Sequence, residues 1–225
     1  MMPFLIRTLI RYELWQAFRW IDYAAPQLPA LPEGPVICYA NHHHVYDAHL
    51  LWYLVSHTMG RPSTVWMEEW DRYPLFAPVG AQPFPASDPA RRAATVRRTA
   101  RRFRSAPRTV LVYFPEGELH APEEGLRPFP SGAVERLARL YPNAHWWPVG
   151  LHVTWRGHQR PVALLRGGTV QPEPPRTPRA TLQAVWRPLR DAVPGTTVRL
   201  MRGPRARAER WSLRWTRGFF ARYLR

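Results

Sequence analysis

PVICYANHHHVYDAHLL, residues 35–51, passes from an unbroken apolar run into a histidine-rich turn and out into a second apolar segment. The first part reads as a short buried strand ending at Asn41. The segment from Asp47 to about Met59 reads as a helix, and a turn follows at Gly60-Arg61-Pro62. A strand feeding a polar turn and then a helix is the repeating unit of an α/β fold, and the turn at the strand end is where such folds place their chemistry.

Outward from this unit the alternation continues. On the C-terminal side, STVWMEE (63–69) is a second strand candidate, and residues 73–89 form an irregular stretch with five prolines. Asp88-Pro89 marks a helix start, a capping carboxylate followed by proline at the first helical position. Ala93, Val96, Ala100 and Phe103 form one apolar stripe of that helix, with arginines on its other faces. RTVLVYFPEG (108–117) reads as a central strand running into a turn, residues 132–141 as a helix, and HWWPVGLHVTW (145–155) and RPVALLRGGTV (160–170) as further strands. The whole predicts an α/β domain with a central, mostly parallel sheet flanked by helices. On the N-terminal side, residues 24–35 are a proline-rich connector. Before it, Phe4, Leu5, Leu9, Ile10, Leu14, Trp15, Phe18 and Ile21 recur at helical spacing. The division expected is a membrane-associating amphipathic helix over 1–23 and a single catalytic domain over 24–225, closed by a second basic amphipathic helix over 205–225.

Hydrophobic residues make up 45% of the 225, enough for one packed core. Cys38 is the lone cysteine, so no intramolecular disulfide forms. The formal net charge is +16, and every strong cation is arginine because the chain has no lysine. Such an excess predicts an anionic partner: nucleic acid, anionic lipid or a phosphorylated substrate. Zinc-finger spacing, a ribonucleoprotein motif and a helix-turn-helix are all missing from the sequence, so nucleic acid is not the expected partner. No apolar run approaches the roughly 20 residues that span a bilayer. The N-terminus lacks the apolar region and cleavage site of a signal peptide.

The chemistry is read from the turn. His42 and Asp47 can form a base and its orienting carboxylate, which holds one tautomer and stabilises the imidazolium. A pair of this kind deprotonates a hydroxyl without a Ser or Cys nucleophile. His43, His44 and His49 diverge along the chain, with no Cys or carboxylate cluster to complete a metal set, so no metal is expected.

Asn41-His42 with Asp47 and Leu50-Leu51 resembles the NH-x4-D-x2-LL block, the HX4D motif, of the lysophospholipid (glycerolipid) acyltransferase superfamily. In order along the chain, Phe114-Pro115-Glu116-Gly117 is similar to its FPEG block. Leu126 to Gly132 is similar to its L-x-PF-x-x-G segment, and Trp147-Pro148-Val149-Gly150 to its final VPV block. Four ordered blocks span residues 36–152. The resemblance implies a glycerolipid-acyltransferase-like fold and direct transfer of a fatty acyl group from acyl-CoA or acyl-carrier protein to a lipid hydroxyl, without further cofactor. It implies His42 as base, Asp47 as its partner, and Asn41, Glu116 and Gly117 near the acceptor.

Relatives continue FPEG with Thr-Arg, whose arginine meets the acceptor's phosphate. Here Glu118-Leu119 stand in that place. Arg91, Arg92 and Arg127 are the cations left to bind phosphate. The acceptor is therefore expected to be either lysophosphatidate or a neutral or glycosylated lipid. The expected location is peripheral, on the cytoplasmic face of an anionic membrane. The competing classes are a basic nucleic-acid-binding protein and an inactive lipid-binding relative.

Overall fold

A computed structural model of the chain describes residues 2–191 and 195–205, together with Phe219. The described elements are α1 (Met2–Ala17), β1 (Trp20–Tyr23), β2 (Val36–Ala40), α2 (Asp47–Trp52) continuing as a π-helical stretch (Tyr53–Thr58), β3 (Ser63–Met67), β4 (Ala81–Pro83), α3 (Pro89–Ser105), β5 (Val110–Tyr113), α4 (Ala133–Leu140), β6 (His145–Thr154), β7 (Val162–Gly167), α5 (Pro178–Asp191) and β8 (Val198–Arg202). The strands form one sheet in the order β4-β3-β5-β2-β6-β7-β1-β8. From β4 to β6 every pairing is parallel, β7 runs antiparallel to β6, β1 is parallel to β7, and β8 is antiparallel to β1. The expected α/β class with a mostly parallel sheet is the one found.

β2 lies between β5 and β6 and is buried along its whole length, which is why it reads as an unbroken apolar run rather than an alternating one. Its side chains still divide by the two-residue period of a strand. Val36, Cys38 and Ala40 join Val110, Val112, Trp147, Val149 and Leu151 under α1 and α2. Ile37 and Tyr39 join Leu111 and Trp146 on the other face, beneath Phe103 of α3, Val134 and Leu137 of α4, and Leu182 and Trp186 of α5. Gly150 on β6 lets α5 approach closely, since a Cβ there would lie 2.9 Å from the Trp186 Cα.

Several boundaries differ from the expectation. The N-terminal helix ends at Ala17, not at residue 23. Trp20-Ile21-Asp22-Tyr23, rich in aromatic and β-branched side chains, is drawn into the sheet between β7 and β8. Only Ile6, Ile10 and Leu14 of α1 face the core, while Phe4, Leu5, Leu9 and Trp15 are exposed. In α3 the buried line is Thr95, Thr99 and Phe103, rotated from the expected stripe, and Ala93 is exposed. The threonines fit the core because their hydroxyls are bonded: Thr95 donates to the Pro83 carbonyl at 2.6 Å, and Thr99 accepts from the Trp66 indole at 3.1 Å. The Asp88 cap forms as expected, accepting from the Arg91 amide at 2.9 Å. The basic helix expected over 205–225 lies outside the described residues, apart from Arg205 and Phe219.

Candidate active site

The turn Asn41–Tyr46 leaves the C-terminal end of β2, and Asp47 opens α2. Asp47 is 1% exposed, and a single oxygen, Oδ2, takes three donors. They are the backbone N–H of His43 at 2.7 Å, that of His44 at 2.8 Å, and the His42 ring at Nδ1, 3.2 Å. The carboxylate thus folds the turn and aims the imidazole together. Because Asp47 accepts, Nδ1 of His42 carries the proton in that contact and Nε2 is the nitrogen free to act as base. Phe114, just past β5, stacks on the His42 ring with centroids 4.3 Å apart. The ring's other freedom is removed from below while its side chain remains 24% exposed.

Asn41 does not reach toward an acceptor. Its amide pairs with the Leu151 backbone, donating at 2.9 Å and accepting at 2.8 Å, and it is fully buried. It pins the end of β2 to β6. Its Nδ2 also donates to His43 Nδ1 at 3.1 Å, which puts the His43 proton on Nε2. The Glu116 side chain, expected near the acceptor, is likewise buried. Its Oε1 accepts from the His42 amide at 3.0 Å, and its Oε2 from the Arg127 amide at 2.7 Å. Gly117 follows with a φ of +83°, the left-handed region where glycine turns without cost. That turn returns the chain toward the site; no acceptor contact is needed to explain the glycine.

The arginines are not gathered at His42. Arg91 pairs with Asp71 through two bonds of 2.7 and 2.6 Å, and Arg92 lies over the Phe84 ring at 4.6 Å. Both sit at the start of α3, where the Thr95 hydroxyl bonds the Pro83 carbonyl of edge strand β4. Arg127 is nearer, but its guanidinium bonds Glu124 at 2.9 and 2.7 Å and also pairs with Glu118. Those pairings hold Arg127 above the ordinary guanidinium pKa and Glu124 below the ordinary carboxylate one.

One group was not foreseen. His43, Glu116 and His120 offer ligand-type atoms within 4.8 Å of one another, so a carboxylate does complete a set for His43. Two of the nitrogens are engaged, whereas the buried His43 Nε2 has no hydrogen-bond partner. His120 Nε2 bonds Glu116 Oε2 at 2.6 Å, and His43 Nδ1 accepts from Asn41. Burial pushes His43 below the usual histidine pKa against the opposing pull of Glu116, and burial also lowers His44 and His49. His120 lies four residues past Glu116, outside every block of the resemblance, and only the folded turn shows its place.

Beside α2 lies an apolar crevice of about 40 Å³, lined by Ile10, Ala48, His49, Trp52, Val65, Met67, Phe76, Val79 and Val112 among others. It lies under α2 on the sheet face that also carries Phe114. A larger cavity, about 490 Å³, opens between the starts of α4 and α5, lined by residues 128–132, Val134, Glu135 and 177–180.

A family model described as Acyltransferase matches residues 24–152. The crystal structure of the 1-acyl-sn-glycerophosphate (LPA) acyltransferase PlsC from Thermotoga maritima superposes with a TM-score of 0.57 at 14% identity, covering 84% of this chain and 78% of that one. No curated protein compared with the chain matches it in sequence.

Proposed function

Since the chain belongs to the acyltransferase family and is an acyltransferase, we propose that it moves a fatty acyl group from acyl-CoA or acyl-carrier protein to a lipid hydroxyl, with His42 as base. The observation that carries this reading is the His42–Asp47 pair: a buried carboxylate holding Nδ1, with Nε2 left free at a strand end. His42 Nε2 takes the acceptor hydroxyl's proton as the oxygen attacks the thioester carbonyl. The C–O bond forms, the C–S bond breaks, and the proton passes from His42 to the departing sulfur, leaving ester and thiol. Asp47 stabilises the imidazolium between these steps.

The acceptor's head group follows from the charges nearby. Arg127 is already neutralised by Glu118 and Glu124, and Arg91 by Asp71. A phosphate would have to displace these carboxylates and would meet Glu118 as a like charge. A neutral or glycosylated hydroxyl lipid suits the site better than lysophosphatidate. The apolar crevice beside α2 is the natural entry for the acyl chain. At about 40 Å³ it must widen to admit one, and α1 and the 74–79 turn are the walls that can give.

Both substrates come from or beside a bilayer. Among the described residues no helix is long and apolar enough to cross one. Phe4, Leu5, Leu9 and Trp15 of α1 are exposed apolar groups beside Arg7 and Arg11, a face suited to lying on an anionic surface. Peripheral attachment on the cytoplasmic face, where acyl thioesters are available, completes the reading.

Thiol release from palmitoyl-CoA in the presence of monoolein or 1-oleoyl-lysophosphatidate tests it. His42→Ala should lower the acceptor-dependent rate by about 10²–10⁴-fold. A folded His42→Ala protein with near-wild-type turnover would refute the mechanism, and a clear preference for lysophosphatidate would refute the assignment of the acceptor.

A further inference from the structure

We infer that His120 is a positioning residue for the catalytic loop, acting through Glu116 on the peptide of His42. This rests on His42 being the base and goes beyond it. The His42 N–H donates to Glu116 Oε1 at 3.0 Å, and the His42 carbonyl accepts from the His120 amide at 3.2 Å. Glu116 Oε2 closes the circuit, 2.6 Å from His120 Nε2. Two residues four apart thus grip both polar backbone groups of one catalytic residue. Neither side chain is exposed, so His120 touches no substrate and serves by holding the Glu116 carboxylate in its rotamer.

The grip is supported from behind. The His43 ring meets His120 edge-on at 4.6 Å, and Trp186 of α5 meets His43 at 5.1 Å. The Arg127 amide adds a third donor to Glu116, so the carboxylate is satisfied within the protein. What the circuit sets is where the His42 ring points. Asp47 constrains that ring at Nδ1 and Phe114 at its face, but neither bonds the His42 peptide. A displacement of about 1 Å in a catalytic group can cost on the order of 100-fold in rate. A buried ion-pair-like contact with no access to substrate is explained by that requirement.

His120→Leu removes the side-chain donor and His120→Gln restores one in a similar place. Hydrogen–deuterium exchange of the 41–46 segment reads the grip without recourse to activity. The His42 amide should exchange roughly ten- to hundred-fold faster in His120→Leu, while β2 amides are unchanged and His120→Gln approaches wild type. With palmitoyl-CoA and monoolein, kcat should fall by a similar factor in His120→Leu with the donor KM within about twofold, and recover in His120→Gln. Should His120→Leu not fold, Glu116→Gln breaks the same link at constant shape and should show the same faster exchange. Unchanged exchange in the folded variants, or no recovery with Gln, overturns the inference. So does stoichiometric metal in the purified protein, which would make His43, Glu116 and His120 ligands instead. If wild-type turnover only equals that of His42→Ala, the acyl-transfer mechanism fails, and the exchange result still decides the role of His120.

Discussion

Asp47 offers a clean separation of charge from shape. All three of its hydrogen bonds end on Oδ2. In Asp47→Asn the amide oxygen can take that position and keep all three donors, so the turn retains its form and only the negative charge is lost. A hydrogen bond to a charged group is worth about 1.5–3 kcal/mol, against about 0.5–1.5 for a neutral one. In the transition state the His42 ring is an imidazolium, so about 1–2 kcal/mol of stabilisation is lost there, or roughly 5–30-fold in kcat at 1.36 kcal/mol per tenfold. Asp47→Ala removes the acceptor altogether. The His43 and His44 amides are part-buried, and leaving both without an acceptor costs about 1–3 kcal/mol. For a domain of this length that lowers the melting temperature by roughly 3–10 °C. Thiol release and thermal melts on the same preparations make the comparison. Asn should lose turnover and melt only a little lower, since its neutral oxygen still accepts from both amides, and Ala should lose turnover and melt clearly lower than Asn. Wild-type turnover in Asp47→Asn would refute the carboxylate's role toward the base. Wild-type melting in Asp47→Ala would refute its role in folding the turn.

Three further outcomes are expected. Gly150→Ala drives a Cβ against the backbone of α5 at Trp186 and should cost about 1–3 kcal/mol, seen as a lower midpoint in denaturant; an unchanged midpoint would mean that α5 shifts freely. Burial depresses His43, His49 and His152 below the ordinary value of 6.5. Acid therefore protonates the unfolded chain first, and stability is fully present above about pH 6.5 and falls as pH drops below it. Melting temperature between pH 7.5 and 5 should show that fall, with a shallower slope in His49→Phe, and a flat profile would contradict it. Flotation with anionic vesicles should weaken several-fold or more in a Phe4→Ser, Leu9→Ser double variant, and high salt should release part of the wild-type protein. Equal flotation of both proteins would remove α1 from the membrane face.

What could be read from the sequence was local. The β2 strand, the His42–Asp47 spacing and the start of α2 lie within a dozen residues, and each is set by neighbours along the chain. The Asp88 cap and the strands β5 and β6 are legible for the same reason. β1 was hidden because the apolar spacing of α1 runs on into Phe18 and Ile21. Only pairing with Val162–Leu165 takes Trp20–Tyr23 out of the helix. α5 carries Leu182, Trp186 and Leu189 on one face, yet Pro188 inside it and the prolines before it masked a helical period. β8 mixes Val198, Leu200 and Met201 with two arginines in a half-exposed pattern at the sheet edge, where burial imposes little on the sequence.

At the site the same limit has a chemical consequence. A carboxylate in a motif can face a substrate or face the protein, and Glu116 faces the protein because His42, His120 and Arg127 each bring a donor to it. The partners are 74 residues upstream and four and eleven downstream, so no spacing rule finds them together. Arginine poses the reverse problem. A net charge of +16 points to an anionic partner, yet two of the three arginines singled out for phosphate are paired, Arg91 with Asp71 and Arg127 with Glu118 and Glu124, and the third, Arg92, lies over the Phe84 ring. The opposite charges of a contact ion pair cancel at distances large compared with their separation, and salt screens what remains. They add little attraction for a phosphate held at His42, whereas in the proposed function the unbalanced remainder would draw the protein to an extended anionic surface. The global excess of cations and the pairing of Arg91 and Arg127 among the described residues therefore do not conflict. In the proposed function the first bears on attachment to a surface and the second on the choice of acceptor.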